Sequence, residues 1–197
     1  MASDVDICNL SASHIGQTAN IVAIDPPDGS ALSAHCARYY PMARDIALEA
    51  HAWKWAIKRY SLTQSSDATI PDHYTYAYIM PSDCLRVLSV MPDEYTDEHT
   101  QQLAYDIEGE YLFCNEELVQ LRYIARVTDT TKWSPAFVDC VSWKLAQYLA
   151  GVMVKGDANL RTHCANQYRE AFMYAAGLDA KAMKNRPVHT PIWISDR

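Results

Sequence analysis

The sequence predicts an α+β fold: a mainly helical bundle drawn from both chain ends, an inserted antiparallel β-rich lobe and an extended C-terminal tail. Three observations point there. Apolar residues recur at three- and four-residue steps up to residue 53 and again after residue 134. Between those limits the period falls to two. The last stretch, "PVHTPIWISDR", carries Pro187 and Pro191 and cannot be helical throughout. The expected organisation is a helical domain from 1–53 and 134–186, a β-rich lobe over 54–133, and an arm over 187–197.

Each element has a local reason. Residues 3–15 read as a helix: Ser3 can cap it, Asp6 follows at capping-box spacing, and Gly16 suits the C-terminal stop. "DPPDGS" is a turn-rich loop, after which Ser30 can cap a second helix. Cys36, Tyr39, Tyr40, Ala43, Ile46, Ala47, Ala50 and Trp53 then give the strongest helical periodicity in the chain. Pro41 lies inside it and should kink it. A helix over 30–53 would be about 36 Å long at the usual rise per residue.

In the middle, Tyr74, Tyr76 and Tyr78 alternate with Thr75 and Ala77. "YDIEGEYLF" reads as two strands joined at Glu108-Gly109, and "LVQLRYIARV" continues the alternation. "MPDEYTDEHTQQ" is polar and acidic, an exposed loop. Helices resume at Ser134-Pro135, a serine cap followed by a first-turn proline. The expected buried stripe is Val138, Val141, Leu145, Tyr148, Leu149 and Val152. Gly156 should end that helix and Asp157 cap the next. The next shows Leu160, Cys164, Tyr168, Ala171, Phe172 and Ala175 before Gly177, with a weaker helical turn in "DAKAMKN".

Composition narrows the function. The 197 residues suit one domain, or one domain with a lobe. A net charge of -7 argues against a general nucleic-acid binder. It allows a wall that DNA passes without sticking. No apolar run is long enough to span a membrane, and "MASDVDICNL" lacks the pattern of a signal peptide. The six cysteines are scattered and none forms C-x-x-C. They read as small apolar fillers in a reducing setting.

"HAWKWAIKRY", residues 51–60, sits where the period changes. It could be a nucleic-acid surface, a membrane face or a joint between two elements. Base stacking needs aromatics beside a basic groove, but here the aromatics share one side and the cations another. A membrane face needs a longer basic amphipathic helix, and Asp45 and Glu49 dilute Arg38, Arg44 and Lys54. The joint reading is preferred: the long helix ends near Trp53 and the chain runs on extended.

A search for chemistry finds no G-x-S-x-G and no phosphate loop. His35-Cys36 and His163-Cys164 could form a metal site only if their two helices met. Buried thiols beside surface histidines are the commoner arrangement. Glu116-Glu117 and Asp93-Glu94 read as solvated turns. The arm is different: Ile192, Trp193 and Ile194 on a proline-stiffened segment either fold back or dock on another subunit or protein.

Four segments together resemble the head-to-tail adaptor family of short-tailed phages, the tail tubular protein A-like proteins. They are the opening stretch through "YYPMARD" and "HAWKWAIKR"; "YTYAYIMPSDCLRVLSV"; "YDIEGEYLFCNEELVQLRYIARVTD"; and "FVDCVSWKLAQYLA". The likeness spans about residues 7–155 and weakens beyond 156. It implies a non-enzymatic homo-oligomeric ring of twelve copies in the virion tail, assembled in the host cytoplasm. The ring would join the portal protein to the tail nozzle protein and line part of the DNA conduit, with transient, non-specific passage of DNA. It implies no catalytic residues, cofactor, metal or membrane contact. On this reading Arg38, Arg44, Lys54, Lys58 and Arg59 should mainly meet acidic groups of a neighbour or partner, with the acidic loop 93–98 as one candidate. A tail-completion protein of another tailed-phage type, or a small His/Cys metal enzyme, are the alternatives.

Overall fold

The computed structural model describes residues 2–92, 103–154 and 157–181. Its order is α1 (Asp4–His14), α2 (Ala31–Glu49), β1 (Ile57–Ser61), β2 (Tyr76–Ile79), β3 (Cys84–Pro92), β4 (Tyr105–Glu108), β5 (Tyr111–Cys114), β6 (Val119–Ala125), α3 (Pro135–Met153) and α4 (Ala158–Lys181). The fold is mixed α+β, with four helices and two small antiparallel sheets among the described residues.

The caps stand where the sequence put them. Ser3 and Asp6 close a reciprocal capping box at α1, and Gly16 follows at φ 70°. Ser30 and Ser134 each accept an N–H from the first turn of α2 and α3. Asp157 accepts the Leu160 N–H at the start of α4. Between α1 and α2 a long loop is held by side chains. Asn9 takes both the N–H and the C=O of Ile21, at 2.9 and 3.0 Å. Asp28 accepts from Val22 and Ser30, both at 2.9 Å, and these bonds pull its carboxyl down to about 2.

Helix α2 passes through Pro41 without interruption but stops at Glu49, short of Trp53. The reason is local. The Trp53 indole N–H donates to the Ala47 carbonyl at 2.9 Å, serving one of the acceptors that a helix end leaves open. The amides of Ala56 and Ile57 bond the Trp53 carbonyl and turn the chain into β1.

The expected β lobe resolves into two three-stranded sheets, ordered β1-β6-β3 and β2-β5-β4. In the first, Ile57 faces Ile124 and Val90 faces Leu121. In the second, Tyr78 and Ile107 flank Leu112. The β4–β5 hairpin turns at Gly109-Glu110, one residue later than expected, with Gly109 at φ 61°.

Strand β6 separates two cores. Val119, Leu121, Tyr123 and Ala125 pack with Tyr78, Val90, Leu112 and Cys114 between the sheets. Ile124 joins Ala56, Val127, Trp133 and the helices on the other side. Apolar packing therefore crosses the expected boundaries at 54 and 133. Helix α3 is the helical centre, with α1, α2 and α4 all packed on it.

Two expectations fail in the helices. The buried face of α3 includes Phe137, Cys140, Ala146 and Ala150, whereas Val138 is half-buried and Val152 exposed. Three surrounding helices give α3 a broader buried face than one stripe predicts. Helix α4 runs through Gly177 to Lys181. A helix-interior glycine costs only about 1 kcal/mol, so packing on both sides carries the helix past it.

Candidate functional site

The joint is an aromatic knot. Three indoles, of Trp53, Trp55 and Trp133, converge on Phe137 with ring centroids 4.9, 4.9 and 5.0 Å away. Their edge-to-face geometries suit the opposed charge of ring face and rim. Trp53 is fully buried, with His51 and Phe172 edge-on to it. The Trp133 indole N–H donates to Val127 at 3.3 Å, echoing Trp53 on Ala47. No open face of Trp53 remains on which a base could stack.

The five cations separate around this knot. Arg44 pairs with Asp45 at 2.8 Å, and Asp45 also takes Arg126 at 2.9 Å. Lys58 pairs with Asp83 at 2.6 Å. Asp83 accepts from Tyr123 as well, at 2.9 Å. Burial opposes the Asp83 charge, but Lys58 and Tyr123 hold its carboxyl below the usual range. Lys54 donates to the carbonyls of Asp179 and Ala180, the last turn of α4, where a cation suits the helix dipole. Arg59 donates to Gln120. Arg38 is exposed on α2 and makes no ion pair among the described residues. The sequence assigned these cations mainly to a neighbour or partner; Arg44, Lys54, Lys58 and Arg59 have oxygen partners in their own chain.

His35-Cys36 and His163-Cys164 do not combine. Helix α3 lies between their helices, and no group of three His, Cys, Asp or Glu side chains suited to a metal occurs among the described residues. Cys36 and Cys164 are buried, as are Cys8, Cys114 and Cys140. Burial pushes the Cys140 thiol up to about 12 and the half-buried Cys84 thiol to about 11. Such thiols are poor nucleophiles. His163 instead stands edge-on to Trp143, whose other neighbour is His14, stacked at 3.6 Å. His14 Nε2 lies 3.0 Å from Ser142 Oγ, but Ser142 is fully buried and has no route to a substrate. Burial holds the His14 imidazole below its ordinary value.

Ile192, Trp193 and Ile194 and the acidic loop 93–98 lie outside the described residues. The sequence reading missed two helix faces. On α2, Met42 and Ile46 are exposed; on α4, Met173, Tyr174 and Leu178 are exposed. Met42 and the α4 residues lie outside the expected stripes, whereas Ile46 and Ala50 belong to the expected α2 periodicity and are exposed instead.

No helix among the described residues is long and apolar enough to cross a membrane. Neither protein-family models nor curated proteins give a match to this chain.

Proposed function

We propose that this chain is a structural subunit of a head-to-tail adaptor ring in a tailed phage. Twelve copies would join the portal to the tail nozzle and enclose part of the DNA path. The observation that carries this reading is how the four resembling segments fall on the fold. The first supplies α1, α2, the joint and β1; the second β2 and β3; the third β4, β5 and β6; the fourth most of α3. The third spans whole elements, while the first, second and fourth leave out only the ends of α1, β3 and α3. The segments meet at the aromatic knot and at β6.

The arrangement of charge supports the same reading. Four of the five candidate cations bind oxygens of their own chain, and the overall charge is negative. A conduit wall should make few phosphate contacts, because each adds affinity and salt dependence. The arm with Trp193 is the proposed anchor on the portal or an adjacent subunit.

Electron microscopy of particles, and of the protein mixed with portal, tests the proposal. The expected result is a twelve-fold ring at the head-tail junction. A lone, unattached copy in the particle, or measurable turnover of a substrate, would overturn it. Deleting residues 188–197 should abolish attachment while leaving the circular dichroism spectrum unchanged. Unchanged attachment would remove the arm from the proposal.

A further inference from the structure

Helices α2 and α4 carry matching exposed faces. On α2, Arg38, Met42, Ile46 and Glu49 follow one another at steps of four, four and three. On α4, Glu170, Tyr174, Leu178 and Lys181 do the same. At 100° per residue each set lies on one side of its helix. Each helix packs with another stripe, through Cys36, Tyr40, Ala43 and Ala47 on α2 and through Cys164, Ala171 and Ala175 on α4. The exposed sets therefore face away from the core.

Their charges are opposite at both ends. Arg38 opens one face where Glu170 opens the other, and Glu49 closes one where Lys181 closes the other. The four apolar members are substantially exposed: Met42 50%, Ile46 36%, Tyr174 66% and Leu178 43%. Arg38, Glu49 and Lys181 make no ion pair among the described residues, and Glu170 takes only a 3.3 Å bond from Gln167 on its own helix.

The two helices also run in the same sense. Both end at the joint, where His51 and Lys54, just after α2, bind Asp179 and Ala180 near the end of α4. Phe137, at the start of α3, meets Trp53 at the same place, so α3 runs the other way. Glu49 and Lys181 thus close their faces at one end of the helical layer.

We propose that the α2 face of one copy packs on the α4 face of the next. Arg38 meets Glu170, Glu49 meets Lys181, and the apolar residues interdigitate between them. The occupant of each face is a second copy of this chain, and the contact is head-to-tail because the faces differ. Parallel helices ending at the same level need little axial shift to pair, which favours closure into a ring over an open filament. Gly177 lies within the α4 face and allows close approach of the partner helix. This interface rests on the adaptor-ring reading and adds its residues.

The test uses full-length chains carrying Met42→Cys, Tyr174→Cys, or both, oxidised at high protein concentration, with the parent chain as baseline. The double variant should give a ladder of cross-linked oligomers, and mixed single variants should give dimers. Adding Arg38→Glu should lower cross-linking about tenfold through like-charge contact with Glu170. Adding Glu170→Arg as well should restore it. Failure of the ladder, failure of the charge-swap rescue, or equal cross-linking of Met42→Cys with itself would overturn the interface. Particle images separate the two levels of the argument. A ring built through other faces retires this interface alone, whereas absence of any ring retires the adaptor reading.

Discussion

The helical layer and the outer sheet bury their surfaces by different means. The helical layer closes around large rings: Trp53, Trp55, Trp133 and Phe137 fill the joint, and alanines let α2, α3 and α4 approach. The outer sheet, β2-β5-β4, has a small core and relies on tyrosine hydroxyls. Tyr78 donates to the Glu116 and Glu117 carbonyls, and Tyr74 donates to Asp106 at 2.9 Å. In the first arrangement shape is the main determinant, and disturbing one ring loosens its neighbours as well. The second divides stability among separate tethers. The outer sheet should therefore open independently, at lower cost than the helical layer.

Mutations can break this contrast. Trp53→Ala should have the largest effect, about 3–5 kcal/mol, and shift the whole unfolding transition followed by far-ultraviolet circular dichroism. A shift limited to part of the transition would show that the knot is not the common core. Leu112→Ala should cost about 2–5 kcal/mol, with lost hydrogen-exchange protection confined to β2, β4 and β5. Spread of that loss into α3 would merge the two regions. Tyr78→Phe removes hydroxyl tethers only and should cost about 1 kcal/mol in denaturant titration.

His14 gives the mildest test, on the helical side. Burial depresses its folded pKa, so folding favours the neutral imidazole. That contribution is fully present above the unfolded value near 6.5. It is lost as pH falls from there through the lower folded value. Stability measured between pH 8 and 5 should fall with acid more steeply in the parent than in His14→Phe. Equal slopes would show that the His14–Trp143 stack carries no pH dependence.

Much of the fold was legible wherever a local rule decided the outcome. Ser3 with Asp6, Ser134 with Pro135, and Gly109 each act within a few residues, and each sits where the pattern put it, the hairpin within one residue. Contacts between distant elements were not legible. Alternation along "LVQLRYIARV" marks a strand, but not that Ile124 serves one core while Leu121 and Tyr123 serve another. The stop at Glu49 depends on an indole reaching back to Ala47, which no helical period contains. Lys54, Lys58 and Arg59 were visible as charges only, because their partners Asp179, Asp83 and Gln120 lie far along the chain, whereas the partner of Arg44, Asp45, is the next residue. The exposed faces of α2 and α4 have equal spacing in the sequence, yet only packing showed which side of each helix is left uncovered.

The loop between α1 and α2 has a mechanical consequence. The Asn9 amide grips Ile21 as a neighbouring strand would, and Asp28 staples Val22 to Ser30. A connector braced in this way takes up little slack. These bonds should make the link between the first two helices stiff against a push on either one. Were the chain part of the proposed adaptor ring, loaded by the pressure of packed DNA, such stiffness would carry strain from the first helix to the second without its being absorbed in the loop between them.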